Sequence, residues 1–173
     1  MGRRAAAGVE IPSAACHHFR MPLHFSYGAN MDRAGMARRC PGAVPLGPAI
    51  LDNYRFIITA DGYASVVPAA GARVHGVLWR LTPRDLKALH IFESLDSGLY
   101  RHVALPVRIG GRRVRAGVYL GRRHEGKPRP GYLEQVIAAA RAWNLPQTHI
   151  ADLRRWASGG WRGRHPAETG AIG

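Results

Sequence analysis

Six short segments with the composition of β-strands most restrict what this chain can fold into. They are rich in β-branched and aromatic residues and are separated by residues that favour turns. They span Leu23–Tyr27, Asn53–Thr59, Tyr63–Val67, Val74–Leu81, Tyr100–Ile109 and Arg113–Leu120. Asp61-Gly62 and Gly110-Gly111 lie between successive segments, and such pairs favour the turn of a β-hairpin. The pattern therefore predicts a β-rich domain that contains two hairpins.

Three helices are predicted beside these strands. The clearest begins at Thr82–Asp85, which supplies an N-cap, a proline at the first helical position and an acid in the first turn. The other two are predicted over Asp32–Arg39 and from Tyr132 to about Trp143, where apolar residues recur at helical spacing. Strands and helices together indicate a compact mixed domain. The helix that begins at Thr82–Asp85 has an apolar face that contains Leu86, Leu89 and Phe92.

Length and composition are typical of a single globular domain. The chain has 173 residues, of which 46% are hydrophobic and 21% are charged, and these values exclude collagen-like, coiled-coil and wholly disordered chains. No apolar run approaches the roughly 18 residues that a membrane span requires. Cys16 and Cys40 are too few for a disulfide framework or a four-cysteine zinc site. We therefore expect a reducing, cytoplasmic location.

The two ends of the chain differ from its middle. Residues 1–21 are rich in Gly, Ala and Arg and lack periodicity, so we expect a disordered leader or a translation start at Met21. Residues 158–173 are rich in glycine and are predicted to form a flexible tail. The predicted domain therefore spans residues 22–157.

The net charge is the one extreme value of the composition. Twenty-five Lys and Arg against eleven Asp and Glu give +14. Residues 101–173 hold 14 basic and 4 acidic side chains, which is +10 (14 − 4). Such a field attracts nucleic acid or acidic ligands, but no RNP, KH or zinc-finger pattern accompanies it. A basic nucleic-acid-associated protein is therefore kept only as an alternative, and no membrane partner is expected.

Glu93 is the strongest candidate for acid–base chemistry. It follows Leu86 by seven residues and Leu89 by four, so it shares the inward stripe of the predicted helix. Burial disfavours the ionised form of a carboxyl group and raises its pKa toward neutrality, as a general acid–base requires. The alternative is a helix-end glutamate paired with one of the many arginines.

A second candidate lies where the first predicted strand meets a helix. His24–Tyr27 runs into Gly28, and Asn30 and Asp32 follow as candidate helix caps. Such a junction exposes backbone N–H groups that can hold an anion or a polarised carbonyl group. Glycine removes the Cβ that would block the approach of a ligand. Taken alone, this motif is more often an ordinary turn.

The remaining histidines and cysteines have ordinary interpretations. His102, His124 and His149 are expected at the surface. Cys40, next to Pro41, is expected to end a helix rather than to act as a nucleophile, because no His–Asp pair accompanies it.

Several motifs together resemble one known family. Tyr27-Gly28-Ala29-Asn30 resembles the YGSN signature of the γ-glutamylcyclotransferase (AIG2-like) family. Val74–Trp79 is similar to the V-x-G-V-x-W strand of that family, and Leu86–Tyr100 to its L-x-x-L-D-x-x-E-G-x-x-x-G-x-Y segment. Pro130–Tyr132 and Asn144–Pro146 match the beginning and end of its long helix. The motifs cover about residues 22–156 in the order of the family.

The resemblance implies a fold and a reaction. The fold is α+β, a small mixed β-barrel flanked by helices. In the reaction, the α-amine of a small γ-glutamyl substrate attacks its own γ-carbonyl, which releases 5-oxoproline and an amino acid or amine. Glu93 falls on the acid–base glutamate, the backbone of Tyr27–Asn30 would supply donors, and Tyr132 would contact the substrate. Tyr100 and Tyr119 would orient Glu93 or line the pocket, and no metal or cofactor is required.

The chain departs from the family pattern at three positions. Ala29 stands where the family has Ser, His90 where it has Asp, and Ser94 where it has Gly. These changes keep the acid–base residue in place, but they do not determine which leaving group the substrate carries. Ala29 and Ser94 favour, as an alternative, a non-catalytic module that binds a small molecule. The oligomeric state also stays open, with a homodimer as one alternative.

Overall fold

The chain folds around a closed barrel of five strands in its described part. A computed structural model describes residues 21–94, 97–121 and 124–158, so nearly all of the predicted leader and tail lies outside it. The strands follow the order β1-β3-β2-β4-β5, and β5 returns to β1. The predicted α+β fold, a small barrel flanked by helices, is confirmed. The strands are β1 (Leu23–Ser26), β2 (Val44–Ile58), β3 (Ala64–Arg80), β4 (Tyr100–Ile109) and β5 (Arg112–Gly121).

Strands β2 and β3 are longer than the sequence predicts. The segments predicted over Tyr63–Val67 and Val74–Leu81 belong to the single strand β3, and most of Asn53–Thr59 forms the end of β2. The register between the strands shifts beside Asn53, which has φ 62° and whose Oδ1 accepts a 3.0 Å hydrogen bond from the Gly71 amide. Backbone pairing with a neighbouring strand therefore overrides the low β-propensity of the intervening residues.

Both predicted hairpin turns are confirmed. Gly62 lies in the turn between β2 and β3 with φ 86°, and Gly110 and Gly111 join β4 to β5 with φ 52° and 77°. Positive φ is sterically easy only for glycine, so these residues fix where the hairpins turn.

The barrel interior is filled by side chains from all five strands. Phe25, Leu51, Val74, Val107 and Val118 have none of their surface exposed. Burying a side chain of this size contributes roughly 1.5–3 kcal/mol. The packed interior holds the strand ends from which the site residues project.

Four helices pack around the barrel in the described part of the chain. The capping box predicted at the start of α2 is present, with Thr82 and Asp85 bonding each other's backbone N–H groups. Asp32 caps α1, because its carboxylate accepts a 2.7 Å hydrogen bond from the Gly35 amide. None of these helices is long and apolar enough to cross a membrane. The helices are α1 (Arg33–Arg39), α2 (Pro83–Phe92), α3 (Tyr132–Ala142) and α4 (Gln147–Arg155).

The sequence analysis does not predict α4 and misplaces three side chains. Helix α4 is short and mostly polar, and only Ile150 and Leu153 form its buried apolar stripe. His149 is buried on the same helix and packs 5.3 Å from His75, so its predicted exposure is wrong. His102 is also partly buried.

Phe92 is the third misplaced side chain, since it is 51% exposed instead of belonging to the core face of α2. It is the last residue of that helix, and its ring lies at a cavity rather than against the barrel.

Candidate active site

A cavity of about 250 Å³ lies where the end of β1 meets the end of α2. Its walls come from β1 and the following turn, the starts of β3, β4 and α3, and the last part of β5. The fold therefore brings together all of the residues that the sequence singles out for the site. They are Tyr27, Gly28, Ala29, Asn30, Glu93, Tyr100, Tyr119 and Tyr132.

The chain leaves β1 through a tight turn at Gly28. One turn of 3-10 helix over Ala29–Met31 follows it directly. A Cβ on Gly28 would lie 2.9 Å from the Tyr132 hydroxyl and 3.1 Å from the Ala64 Cβ. Glycine at this position therefore lets the phenol of Tyr132 approach the backbone of the turn.

Glu93 is the C-cap of α2, directly after its last residue, and its side chain is partly buried. Its backbone N–H still donates to the Leu89 carbonyl at 2.8 Å. Its Oε1 accepts a 2.6 Å hydrogen bond from Nδ2 of Asn30, a buried side chain. Oδ1 of Asn30 in turn accepts a 2.8 Å hydrogen bond from the guanidinium group of Arg39. The carboxyl group therefore meets a neutral amide, with an arginine one group behind it.

The pKa of Glu93 follows from this environment. Burial raises it to about 7, while the hydrogen bond from Asn30 and the charge of Arg39 act to lower it. A carboxyl group with a pKa near 7 is populated in both its ionised and protonated forms at neutral pH. It can therefore accept a proton and return one, which is the requirement for general acid–base catalysis.

Tyrosine hydroxyl groups surround the cavity, among them those of Tyr27, Tyr100, Tyr119 and Tyr132. Tyr27 donates to the backbone carbonyl of Tyr119, and Tyr100 donates to the carbonyl of Ala64 at 2.8 Å. The hydroxyl of Tyr132 accepts a 3.1 Å hydrogen bond from the Ala64 amide. Burial raises the pKa of each phenol, that of Tyr132 to about 12. Tyr100 is thus held by the backbone of β3 instead of by the glutamate.

A cluster of histidines packs behind Tyr119. The ring centroids of His24, His90 and His102 lie 5.1, 5.9 and 5.0 Å from that of Tyr119. His24 Nδ1 donates to the Gly117 carbonyl at 3.1 Å, and burial lowers the pKa of His24 to about 3. Burial also lowers the pKa of His90 and His102 from the ordinary value, so burial disfavours a positive charge on all three rings. Within the described residues, no three His, Cys, Asp or Glu side chains are arranged to hold a metal ion.

The roles of two residues at the site are not identified by the sequence analysis. It assigns Asn30 a backbone role, whereas the structure places the Asn30 side chain on Glu93. It also names no arginine partner, whereas Arg39 contacts Asn30 and stacks on Phe92. Both contacts depend on the direction in which α1 leaves the turn, and no local periodicity reports that direction.

Relatives of this chain include two mammalian proteins described as gamma-glutamylcyclotransferase. The Mus musculus protein is 24% identical over 156 residues, which cover 82% of this chain and 82% of the relative. The Homo sapiens protein is 25% identical over 146 residues, which cover 76% and 77%.

Two solved structures share the fold of this chain. One described as Gamma-glutamyl cyclotransferase superposes with a TM-score of 0.72 at 21% identity, over 88% of this chain and 93% of that chain. YkqA from Bacillus subtilis superposes with a TM-score of 0.70 at 26% identity, over 83% of this chain and 56% of that chain. The family described as "Gamma-glutamyl cyclotransferase, AIG2-like" matches residues 24–161, which contain every residue of the cavity. The chain belongs to the AIG2-like γ-glutamylcyclotransferase family.

Proposed function

We propose that this protein is a cyclotransferase that cleaves a small γ-glutamyl amide by internal attack, with Glu93 as general acid and base. The observation that carries the proposal is the carboxyl group of Glu93 in the cavity wall, held by Asn30 at 2.6 Å and with a pKa of about 7. The names of the mammalian relatives support a γ-glutamyl substrate.

The reaction needs little more than a proton acceptor and a fixed substrate. The α-amine of the γ-glutamyl group attacks the γ-carbonyl carbon, and the new C–N bond closes a five-membered ring. The nucleophile is already tethered to the carbonyl group, so correct folding of the substrate supplies much of the acceleration. Collapse of the tetrahedral intermediate breaks the original amide C–N bond and releases 5-oxoproline and an amine. No water molecule is consumed.

Glu93 carries the proton between the two nitrogens. As a carboxylate it removes a proton from the attacking amine, and as a carboxylic acid it gives that proton to the leaving nitrogen. A group with a pKa near the working pH performs both steps without a large energetic penalty in either direction. The hydrogen bond from Asn30 leaves the second carboxyl oxygen of Glu93 for this transfer.

The turn after β1 provides donors for the glutamyl end of the substrate. In our proposal, backbone N–H groups of Tyr27–Asn30 stabilise the oxyanion and the α-carboxylate. This role does not require a side chain at Ala29, because the donors belong to the backbone. Tyr132 has its neutral hydroxyl against the same turn and contacts the substrate there.

The direct test is release of 5-oxoproline from a panel of γ-glutamyl amino acids and γ-glutamyl amines. Wild type is compared with Glu93→Gln, and with Glu134→Gln as a control at an exposed glutamate on α3. We expect release by wild type and Glu134→Gln and loss in Glu93→Gln, and the preferred substrate would name the leaving group. Binding of panel members without release, by a folded wild-type protein, would contradict the proposal and favour a non-catalytic module.

A further inference from the structure

Arg39 is a charged residue near the cavity for which neither the resemblance nor the proposed mechanism supplies a role. It is the last residue of α1 and is not among the residues that line the cavity. The amide of Asn30 lies between its guanidinium group and the carboxyl group of Glu93. We propose that Arg39 is a positioning residue that fixes the orientation of the Asn30 amide and thereby sets the protonation of Glu93.

The side-chain amide of an asparagine has two chemically different ends. One end is an oxygen that accepts hydrogen bonds, and the other is an NH₂ group that donates them. A guanidinium group has donors only, so the group that faces Arg39 at 2.8 Å must be Oδ1 of Asn30. Nδ2 is then turned toward Glu93, where it donates at 2.6 Å. Without the arginine, only the hydrogen bond to Glu93 holds the amide in this orientation, and a protonated Glu93 can bond to either end of the amide.

The rotation would change the charge state of Glu93. With Nδ2 forward, the amide donates to the carboxylate and stabilises its ionised form. With Oδ1 forward, the amide can only accept, and it stabilises the protonated carboxylic acid. Loss of the Arg39 positive charge acts in the same direction, because that charge also lowers the pKa of Glu93. Removal of Arg39 should therefore raise the pKa of Glu93 by both routes.

The guanidinium group is itself held in place. Its central carbon lies 4.3 Å from the ring centroid of Phe92, the residue that immediately precedes Glu93. A guanidinium group over an aromatic face gains cation–π attraction and keeps its plane parallel to the ring. This contact gives Phe92 a reason to turn away from the core. Asp32 and Arg38 also act on the charge of Arg39, the first favouring it and the second opposing it.

Among the described residues, the tyrosines whose pKa depends on the charge of Glu93 cannot replace the arginine. They are phenols, and burial keeps each of them protonated and neutral at physiological pH. Each is also sensitive to the charge of Glu93, which raises its pKa further. They come from β1, β4, β5 and α3 and are Tyr27, Tyr100, Tyr119 and Tyr132. From behind Asn30, Arg39 thus supplies a positive charge that these phenols cannot.

The first experiment measures the pKa of Glu93 and does not depend on enzyme activity. Protein labelled with ¹³C at the glutamate carboxyl groups is titrated by NMR, and Glu93→Gln identifies the Glu93 signal among the five glutamates. We expect Arg39→Gln to raise the pKa of Glu93 above the wild-type value. Arg39→Lys should leave it near that value, since an ammonium group is charged and can only donate. Arg38→Gln, at an exposed neighbour on α1, is the matched control.

The sign of the shift separates positioning from a merely structural role. If Arg39 only maintained the local fold, its loss would expose Glu93 to water and lower its pKa toward 4.5, the value for a solvated carboxyl group. A decrease, or no change relative to Arg38→Gln, would overturn the inference. An increase in the pKa of Glu93 in Arg39→Gln, but not in Arg39→Lys, supports the inference.

The second experiment is a double-mutant cycle, and its kinetic readout rests on the proposed function. Arg39→Gln should lower kcat between about 10- and 100-fold with little change in KM, and the fall should be greatest at low pH. In an Asn30→Ala background, the same substitution should cost less than in wild type, because only the direct effect of the Arg39 charge then remains. An equal loss in both backgrounds would contradict the inference. If no variant or wild type releases 5-oxoproline, the proposed function fails and the titration alone decides the role of Arg39.

Discussion

Asp52 and Glu93 both have arginines nearby, and their environments are opposite. Asp52 on β2 meets Arg108 directly, through hydrogen bonds of 3.0 and 2.8 Å, and Arg73 lies 3.5 Å away. The hydrogen bond from Arg108 holds the pKa of Asp52 below its usual range. Glu93 has an arginine nearby as well, but the amide of Asn30 stands between them, and its pKa rises to about 7.

The comparison shows what one intervening amide does. A direct guanidinium–carboxylate contact keeps the acid ionised and useful only as a structural charge. An amide contact in a partly buried pocket gives the carboxylate one donor without full neutralisation, so desolvation controls the pKa. A carboxyl group and an arginine therefore form a salt bridge at Asp52, whereas the carboxyl group of Glu93 at the cavity titrates near neutral pH.

The largest expected difference between the two acids is in catalysis. Glu93→Gln removes the proton carrier and should lower kcat by about 10²- to 10⁴-fold. Asp52→Asn should leave kcat within about twofold, because Asp52 is on the barrel side and does not line the cavity. Steady-state 5-oxoproline release by both variants checks this, and comparable losses would contradict the assignment of roles.

A second substitution converts the cavity site toward the type at Asp52. Asn30→Asp puts a carboxylate where Arg39 can pair with it directly and where it faces Glu93. Two neighbouring carboxylates cannot both ionise easily, so Glu93 should stay protonated to higher pH. We expect kcat to fall between about 10- and 100-fold at pH 7 and to recover partly at higher pH. A pH–rate profile that keeps its wild-type shape would refute this explanation of the Glu93 pKa.

The close approach of Tyr132 to the turn provides a smaller test. Gly28→Ala would put a Cβ 2.9 Å from the Tyr132 hydroxyl, and moving that hydroxyl should raise KM by about tenfold. Tyr132→Phe removes the oxygen that the Cβ meets. If steric contact is the cause, Gly28→Ala should therefore cost less in the Tyr132→Phe background than in wild type. Equal costs in the two backgrounds would rule out this contact as the cause.

The two acids should also affect stability with opposite dependence on pH. The pKa of Glu93 is raised on folding from 4.5 to about 7, so its contribution to stability is present below pH 4.5 and is lost as pH rises through 7. The upper bound is roughly 3 kcal/mol and is reduced by partial exposure. The pKa of Asp52 is lowered from 3.8, so its contribution is present above pH 4 and is lost at lower pH. Urea titrations from pH 3 to 8 should show Glu93→Gln gaining stability relative to wild type as pH rises.

Asp52→Asn is the partner measurement in that series. It should lose stability relative to wild type above pH 4 and approach the wild-type value near pH 3. Parallel pH dependence for the two variants would contradict the contrast between the sites.

The sequence is informative where structure depends on local chemistry. The capping box at Thr82, the glycine turns and the strand-like composition are local signals, and each predicted element has a counterpart in the fold. The motif order also predicts that Glu93 and the turn at Gly28 share a site, and both line the cavity.

The parts that the sequence does not predict depend on tertiary contacts. β3 runs through residues of low β-propensity because β2 pairs with it along its length. The Asn30–Glu93 and Arg39–Asn30 hydrogen bonds join segments whose relative placement is set by packing of α1 and α2 on the barrel. Arg39 cannot be singled out among the 25 basic residues until that packing is known.

The account depends most directly on the protonation of Glu93 in the folded wild-type protein. Titration of its ¹³C-labelled carboxyl group by NMR measures that property at the atom concerned, without a substrate. We predict a midpoint of about 7 for Glu93. A midpoint at or below 4.5, the ordinary value for a glutamate, would show that Glu93 is a permanent carboxylate like Asp52 and would contradict its proposed role as acid and base.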